Sequence, residues 1–114
     1  MHELSIAQAL VEQVERVRLE NGGGRVLAVG VRVGEWRLVV PEVLTSYYKF
    51  LAAGTPLEGS RVEIETVPAT AWCKQCECVF NVEQGLLVCE RCGSPGGELL
   101  SGKELDLVRV ELED

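Results

Sequence analysis

The chain has 114 residues, 46% hydrophobic and 25% charged, with a formal net charge of −7. That length suits one compact domain with a small satellite, and the composition is ordinary for a globular protein. The acidic balance disfavours DNA or RNA as a partner: phosphate binding needs a basic face, and Lys and Arg are scattered here without clustering.

No stretch approaches the ~20 apolar residues of a membrane span. The opening Met1-His2-Glu3, with Gln8 and Glu12 behind it, lacks the basic and apolar regions of a signal peptide. The expectation is a cytoplasmic protein, bound to neither membrane nor nucleic acid, whose thiols stay reduced.

From Leu4 to Glu20, apolar residues at Leu4, Ala7, Leu10, Val11, Val14 and Val17 fall at helical spacing. Ser5 followed by Gln8 reads as a capping box, and Asn21-Gly22-Gly23-Gly24 as a stop. Arg25 to Val33 is predicted to be a strand, with Leu27, Val29, Val31 and Val33 on one face and Gly30 admitting a helix or backbone close by. Gly34 to Val40 is a connector. Pro41 at a first helical position and Glu42 beside the helix dipole open a second helix, whose buried stripe is Val43, Leu44, Tyr47, Phe50 and Leu51. Arg61 to Val67 alternates as a strand, and Glu104 to Leu112 forms the last one. A slip in apolar phase between Leu107 and Val108 predicts a bulge.

Between those strands lie two identical knuckles, Cys73-Lys74-Gln75-Cys76 and Cys89-Glu90-Arg91-Cys92. Each pair can grip one side of a small ion, and two pairs close a tetrahedron with no open position, which makes a structural site. Metal binding would organise a stretch too short to fold on its own core. A disulfide framework sits poorly with five cysteines and no secretory segment, and a redox Cys-x-x-Cys comes singly in a βαβ unit. Iron in a rubredoxin-like site uses similar knuckles. Gly93 after the second knuckle suits a positive φ, and Glu77 stands in the matching place after the first. Cys78 reads as a free, partly exposed thiol. The apolar runs Val79-Phe80 and Leu86-Leu87-Val88 suggest a small hairpin between the knuckles.

The expected fold is α+β, with two helices against a three-stranded sheet and an inserted four-cysteine zinc-ribbon module. Residues 1–68 plus 101–114 would form the α/β domain, and 69–100 the zinc-binding one.

His2 is the sole histidine, directly after the first residue. A free amine on Met1, the His2 backbone nitrogen and its imidazole can close adjacent five- and six-membered chelate rings. Such nitrogen sets favour tetragonal Ni²⁺ or Cu²⁺. Glu3 can add its own nitrogen or its carboxylate. The alternative is a frayed terminus with an idle histidine. No Ser/His/acid set is available beyond His2, and Gly22-Gly23-Gly24 lacks the Lys-Ser/Thr of a phosphate cradle, so the chain reads as a carrier and not an enzyme.

Met1-His2-Glu3-Leu4-Ser5-Ile6-Ala7, Val33-Gly34-Glu35, Val40-Pro41-Glu42, Gly54-Thr55-Pro56-Leu57-Glu58-Gly59, the two knuckles and the closing Glu104-Leu105 strand together resemble the HypA family, end to end. The resemblance implies a nickel metallochaperone for NiFe-hydrogenase maturation, with Ni(II) carried on Met1, His2 and Glu3 and Zn(II) held by Cys73, Cys76, Cys89 and Cys92. It also implies exchange with the GTPase HypB, delivery to the hydrogenase large subunit and, in some relatives, a role with urease maturation proteins. Trp36-Arg37-Leu38-Val39 is bulkier than that pattern, which leaves Glu35 or Glu42 as any further acidic nickel partner. The rival readings are a zinc-ribbon interaction module without nickel and a rubredoxin-like iron electron carrier.

Overall fold

The structure, a computed structural model, describes residues 2–114. Two compact units emerge. The larger takes the chain up to Val31, Val39–Glu65 and Asp106–Asp114; the smaller takes Arg32–Leu38 and Thr66–Leu105. The elements are α1 (His2–Glu20), β1 (Val26–Gly34), a 3₁₀ turn (Glu35–Arg37), α2 (Pro41–Ala52), β2 (Arg61–Val67), β3 (Thr70–Cys73), β4 (Cys78–Asn81), β5 (Glu98–Ser101) and β6 (Leu105–Leu112). Two three-stranded sheets result, ordered β2-β1-β6 and β4-β3-β5. The fold is α+β, two helices with the first sheet and a cysteine ribbon built on the second.

Helix α1 begins earlier than the expected cap allows. Ser5 lies inside its first turn and donates its hydroxyl to the His2 carbonyl at 3.4 Å, a local bond that competes with capping. Ala7, Leu10 and Val14 are buried as the spacing predicts, and so is Arg18. A buried charge needs partners, and Arg18 has several. Its Nη2 and Nε meet the Glu15 carboxylate at 2.5 and 2.9 Å, and Nη1 donates to the Gly23 carbonyl at 2.6 Å. The guanidinium therefore closes the glycine-rich stop, where Gly22 and Gly23 adopt positive φ.

Helix α2 packs against α1 and buries Leu44, Tyr48 and Ala52. This corrects the stripe expected from sequence: Val43 is exposed and Phe50 is 76% exposed. The helix is apolar around much of its circumference, so periodicity alone misplaces the seam, and Tyr48 takes it because its hydroxyl finds a buried partner. Tyr48 Oη lies 2.9 Å from Ser60 Oγ, and Ser60 in turn donates to the Leu57 carbonyl at 2.6 Å.

Strand β1 is the middle of its sheet and is buried along most of its length, at Val26, Ala28, Val29, Gly30, Val31 and Val33. Leu27, expected inside, is 42% exposed. Gly30 admits a side chain and not a helix or backbone. A Cβ there would come 3.0 Å from Arg109 Nη1 and 3.3 Å from Arg109 Cβ. Arg109 thus lies across the central strand from β6, its Nη2 paired with Glu63 on β2 and its Nε with Glu111. Along β6, Leu105 and Leu107 are half-buried and then Val110 and Leu112, so the inward parity changes across Val108-Arg109.

In the smaller unit β3 is central. It pairs antiparallel with β4, Thr70 opposite Asn81 through Cys73 opposite Cys78, and with β5 through a register shift at Thr70/Ala71. The Leu86-Leu87-Val88 run does not pair with Val79-Phe80; isolated bridges join Glu83 to Leu86 and Val88 to Pro95 instead. The core is small: Ala69, Ala71, Cys73, Phe80, Val82 and Cys89, with Trp36, Leu87 and Leu99 packed against it. Of the expected connector, Gly34 to Leu38 belongs to this unit and Val39-Val40 to the larger one. Trp36 N–H donates to the Gly102 carbonyl at 3.0 Å, Arg37 Nε to the Lys103 carbonyl at 2.8 Å, and Glu35 Oε1 accepts the Ala69 N–H at 3.2 Å.

That clasp requires two glycines. A Cβ on Gly34 would overlap the Gly102 backbone, and one on Gly102 would reach 2.6 Å from Ala69 Cα. Backbone cannot yield as a flexible side chain does. Gly34→Ala should therefore cost about 3 kcal/mol, read as a lowered denaturation midpoint, whereas Phe50→Ser on the exposed face of α2 should leave stability within about 0.5 kcal/mol.

Candidate metal centre

Two equivalent turns bring the four knuckle cysteines together. In the first, the Glu77 N–H donates to the Cys73 carbonyl at 2.8 Å; in the second, the Gly93 N–H donates to the Cys89 carbonyl at 2.8 Å. Both closing residues are left-handed, with φ of 53° at Glu77 and 73° at Gly93. The second knuckle has the residue that conformation favours, and the first carries strain.

The four sulfurs all lie within 4.8 Å of one another. Cys73 Sγ is 3.8 Å from Cys92 Sγ, and Cys76 Sγ is 3.9 Å from Cys89 Sγ. A tetrahedral ion with metal–sulfur bonds of ~2.3 Å has sulfur–sulfur edges of about 3.8 Å. The donor set therefore fits a closed four-thiolate ion, zinc or iron by coordination preference. All five cysteines are free of disulfides. The knuckles also supply an amide, Cys76 N–H at 3.5 Å from Cys73 Sγ.

Electrostatics divides the cluster. The Ser94 hydroxyl, 3.1 Å from Cys92 Sγ, holds that thiol down to about 6, helped by the Ser94 backbone and by Cys76. Cys89 is lowered by the Cys92 N–H against the cost of its burial. Cys76 is pushed far above the usual thiol range, first by its hydrogen bond with Cys92, then by burial. In the metal-free cluster the proton thus stays on Cys76 while Cys92 ionises, and a cation would replace that proton. In the sequence Ser94 reads only as the start of the exit loop Ser94-Pro95-Gly96-Gly97, although a hydroxyl two residues beyond a knuckle can serve its sulfur.

At the other predicted site, His2 Nε2 lies 3.5 Å from Glu3 Oε2, the histidine side chain half-exposed and the glutamate 13% exposed. Glu3 Oε2 also accepts the Val40 N–H at 3.3 Å, at the residue preceding α2. Burial, the largest influence on Glu3, raises its carboxyl. The Val40 and Glu3 amides and His2 outweigh it, so the carboxylate stays below its ordinary range. Met1 lies outside the described residues. Of the two further candidates, Glu42 is exposed in the first turn of α2, and Glu35 is committed to the Ala69 amide in the smaller unit.

The comparisons with known proteins agree across the chain. The family described as hydrogenase/urease nickel incorporation, metallochaperone, hypA, matches residues 1–112. A hydrogenase maturation factor HypA from Nitrosospira multiformis is 42% identical over 112 residues, covering 98% of this chain and 97% of the relative. One from Deinococcus radiodurans is 46% identical over 108 residues, covering 94% and 89%. In fold, the chain is similar to the solution structure of the Ni metallochaperone HypA from Helicobacter pylori, with a TM-score of 0.65 at 22% identity, covering 96% of each chain.

Two outcomes follow for the cysteine cluster. Replacing strained Glu77 with Gly should raise the stability of the metal-loaded protein by about 1 kcal/mol, read from thermal melts. In metal-free protein, Cys92 should be the first thiol alkylated at neutral pH. Its reactivity should fall as pH drops through about 6, since the depressed value keeps it ionised above that point. Ser94→Ala should move that midpoint upward.

Proposed function

This chain belongs to the HypA family of hydrogenase and urease nickel-incorporation metallochaperones, and on that premise we propose that it carries Ni(II) on Met1, His2 and Glu3. It hands the ion on for NiFe-hydrogenase maturation while Zn(II), held by Cys73, Cys76, Cys89 and Cys92, fixes the smaller unit. The observation that carries the nickel reading is the pairing of His2 and Glu3 at 3.5 Å on the first turn of α1.

The chemistry of that turn supports a carrier. The first N–H groups of a helix have no intrahelical partner, so the His2 backbone nitrogen is open to chelation beside its imidazole. A free amine on Met1 would complete three nitrogens of the kind that suit Ni(II). Glu3 is tied to the Val40 amide, which holds the tripeptide's one carboxylate against the fold. An open-faced nitrogen set releases its ion more readily than a closed thiolate cage, and release is what delivery requires.

The four-thiolate cage has no free position and suits zinc as a structural ion. Acidic net charge and free thiols fit a cytoplasmic protein that works through protein partners. The GTPase HypB, the hydrogenase large subunit and urease maturation proteins are the partners proposed. Among the described residues no helix is long and apolar enough to cross a membrane.

Nickel calorimetry on zinc-loaded protein with a native first residue tests the reading. One Ni(II) per chain is expected. His2→Ala should weaken it by at least about tenfold, and a residue added ahead of Met1 should weaken it comparably by turning the amine into an amide. Affinity should fall as pH drops through the amine and imidazole values, since protons compete for the same lone pairs. Equal affinity in wild type and His2→Ala would refute the terminal site. Visible absorption from bound iron would refute the zinc assignment.

A further inference from the structure

We propose that Cys78 is an oxidation site whose product is a disulfide to the metal ligand Cys73, so that a peroxide opens the four-sulfur cage from inside the ribbon. The proposal rests on reading the four knuckle thiols as a metal cage; what it adds concerns the fifth thiol.

Cys73 ends β3, Cys78 opens β4, and the two stand directly opposite each other in the antiparallel register. Opposed residues send their side chains to the same face, with Cα atoms roughly 4.5–5.5 Å apart. Disulfides bridge Cα separations of about 4.4–6.8 Å. The shared face is the inner one: two residues along the ladder, Ala71 and Phe80 are opposed and both buried. Cys78 is thus no stray surface thiol. It is half-buried, which admits a small oxidant.

With four sulfurs bound to a cation, Cys78 is the one uncommitted thiol of the five. Its sulfur attacks one oxygen of hydrogen peroxide and the O–O bond breaks. The thiol proton goes to the departing hydroxide, which leaves as water, and Cys78 becomes a sulfenic acid. The Cys73 sulfur then attacks Cys78 Sγ. An S–S bond forms, the S–O bond breaks, and the second hydroxide leaves as water once it takes up a proton. Two sulfurs have given two electrons to one peroxide. The cation keeps three thiolates, and a tetrahedral cage needs four. A thiol reductant reverses the change.

The rival products are disulfides within the cage, Cys73–Cys92 or Cys76–Cys89, whose sulfurs are 3.8 and 3.9 Å apart. Mapping separates them, because combined cleavage after Lys, Arg and Glu leaves each cysteine on its own peptide.

Zinc-loaded full-length chain, its zinc content measured first, is treated with stoichiometric hydrogen peroxide. Zinc release is followed with a chromogenic chelator and the disulfides are mapped by mass spectrometry. The expected result is a Cys73–Cys78 link formed in step with zinc release, with release slowed about fivefold or more in Cys78→Ser and Cys78→Ala. Cage disulfides as the main product, release unchanged in both variants, or irreversible oxidation of Cys78 without a link would each overturn the proposal. Should the chain hold no zinc, the cage reading fails separately, and the disulfide map of the metal-free chain still decides which cysteine Cys78 joins. Mapping is done on wild type, so a variant that fails to fold does not remove the test.

Discussion

The convergence of four sulfurs governs the smaller unit. Its buried residues are mostly small, and Phe80 is the one large side chain among them. An apolar cluster of that size stabilises little against the entropy of ordering the 47 residues of Arg32–Leu38 and Thr66–Leu105. The sulfur–sulfur edges near 3.8 Å match those of a tetrahedral four-thiolate ion, whose coordination energy would replace the missing core. Strain at Glu77 is tolerable on the same ground: a bonded cage over-determines the backbone around it.

The larger unit is held differently. Its core is conventional, with Val14, Val29, Val31, Leu44, Tyr48 and Leu57 fully buried. Polar groups lock it at defined points. Arg18 closes the end of α1, Ser60 relays between Tyr48 and the Leu57 carbonyl, and Glu3 takes the amide ahead of α2. The last contact joins stability to the carrier reading. The carboxylate next to His2 is already engaged by the fold, so the first turn arrives partly organised.

Much of this was legible beforehand, and the reasons are local. Cysteine spacing reports a knuckle because the turn that makes it spans four residues. The Gly22–Gly24 stop, Pro41 and the alternation of β2 are likewise signals carried within a few positions. What escaped depends on partners far along the chain. Glu3 meets a residue 37 positions away, and Arg37 meets one 66 away. The α2 seam was misjudged because Tyr47 and Tyr48 are equivalent until Ser60 is known to lie beside one of them. Gly30 was recognised as a close approach, but a long side chain from β6 is invisible to periodicity. Ser94 was overlooked because a serine after a knuckle looks like loop filler.

The Glu35-Trp36-Arg37 turn has one more consequence. It is separated in sequence from the cysteines by more than thirty residues, yet its indole covers the ribbon's core and its backbone and side chains grip both ends of the ribbon. The ribbon is therefore not an autonomous cassette. A fragment cut to the stretch between its flanking strands would leave the small core without the Trp36 indole packed against it and the Ala69 amide without its acceptor, however tightly it held a metal. Grafting such a ribbon onto another host would mean transplanting two discontinuous segments.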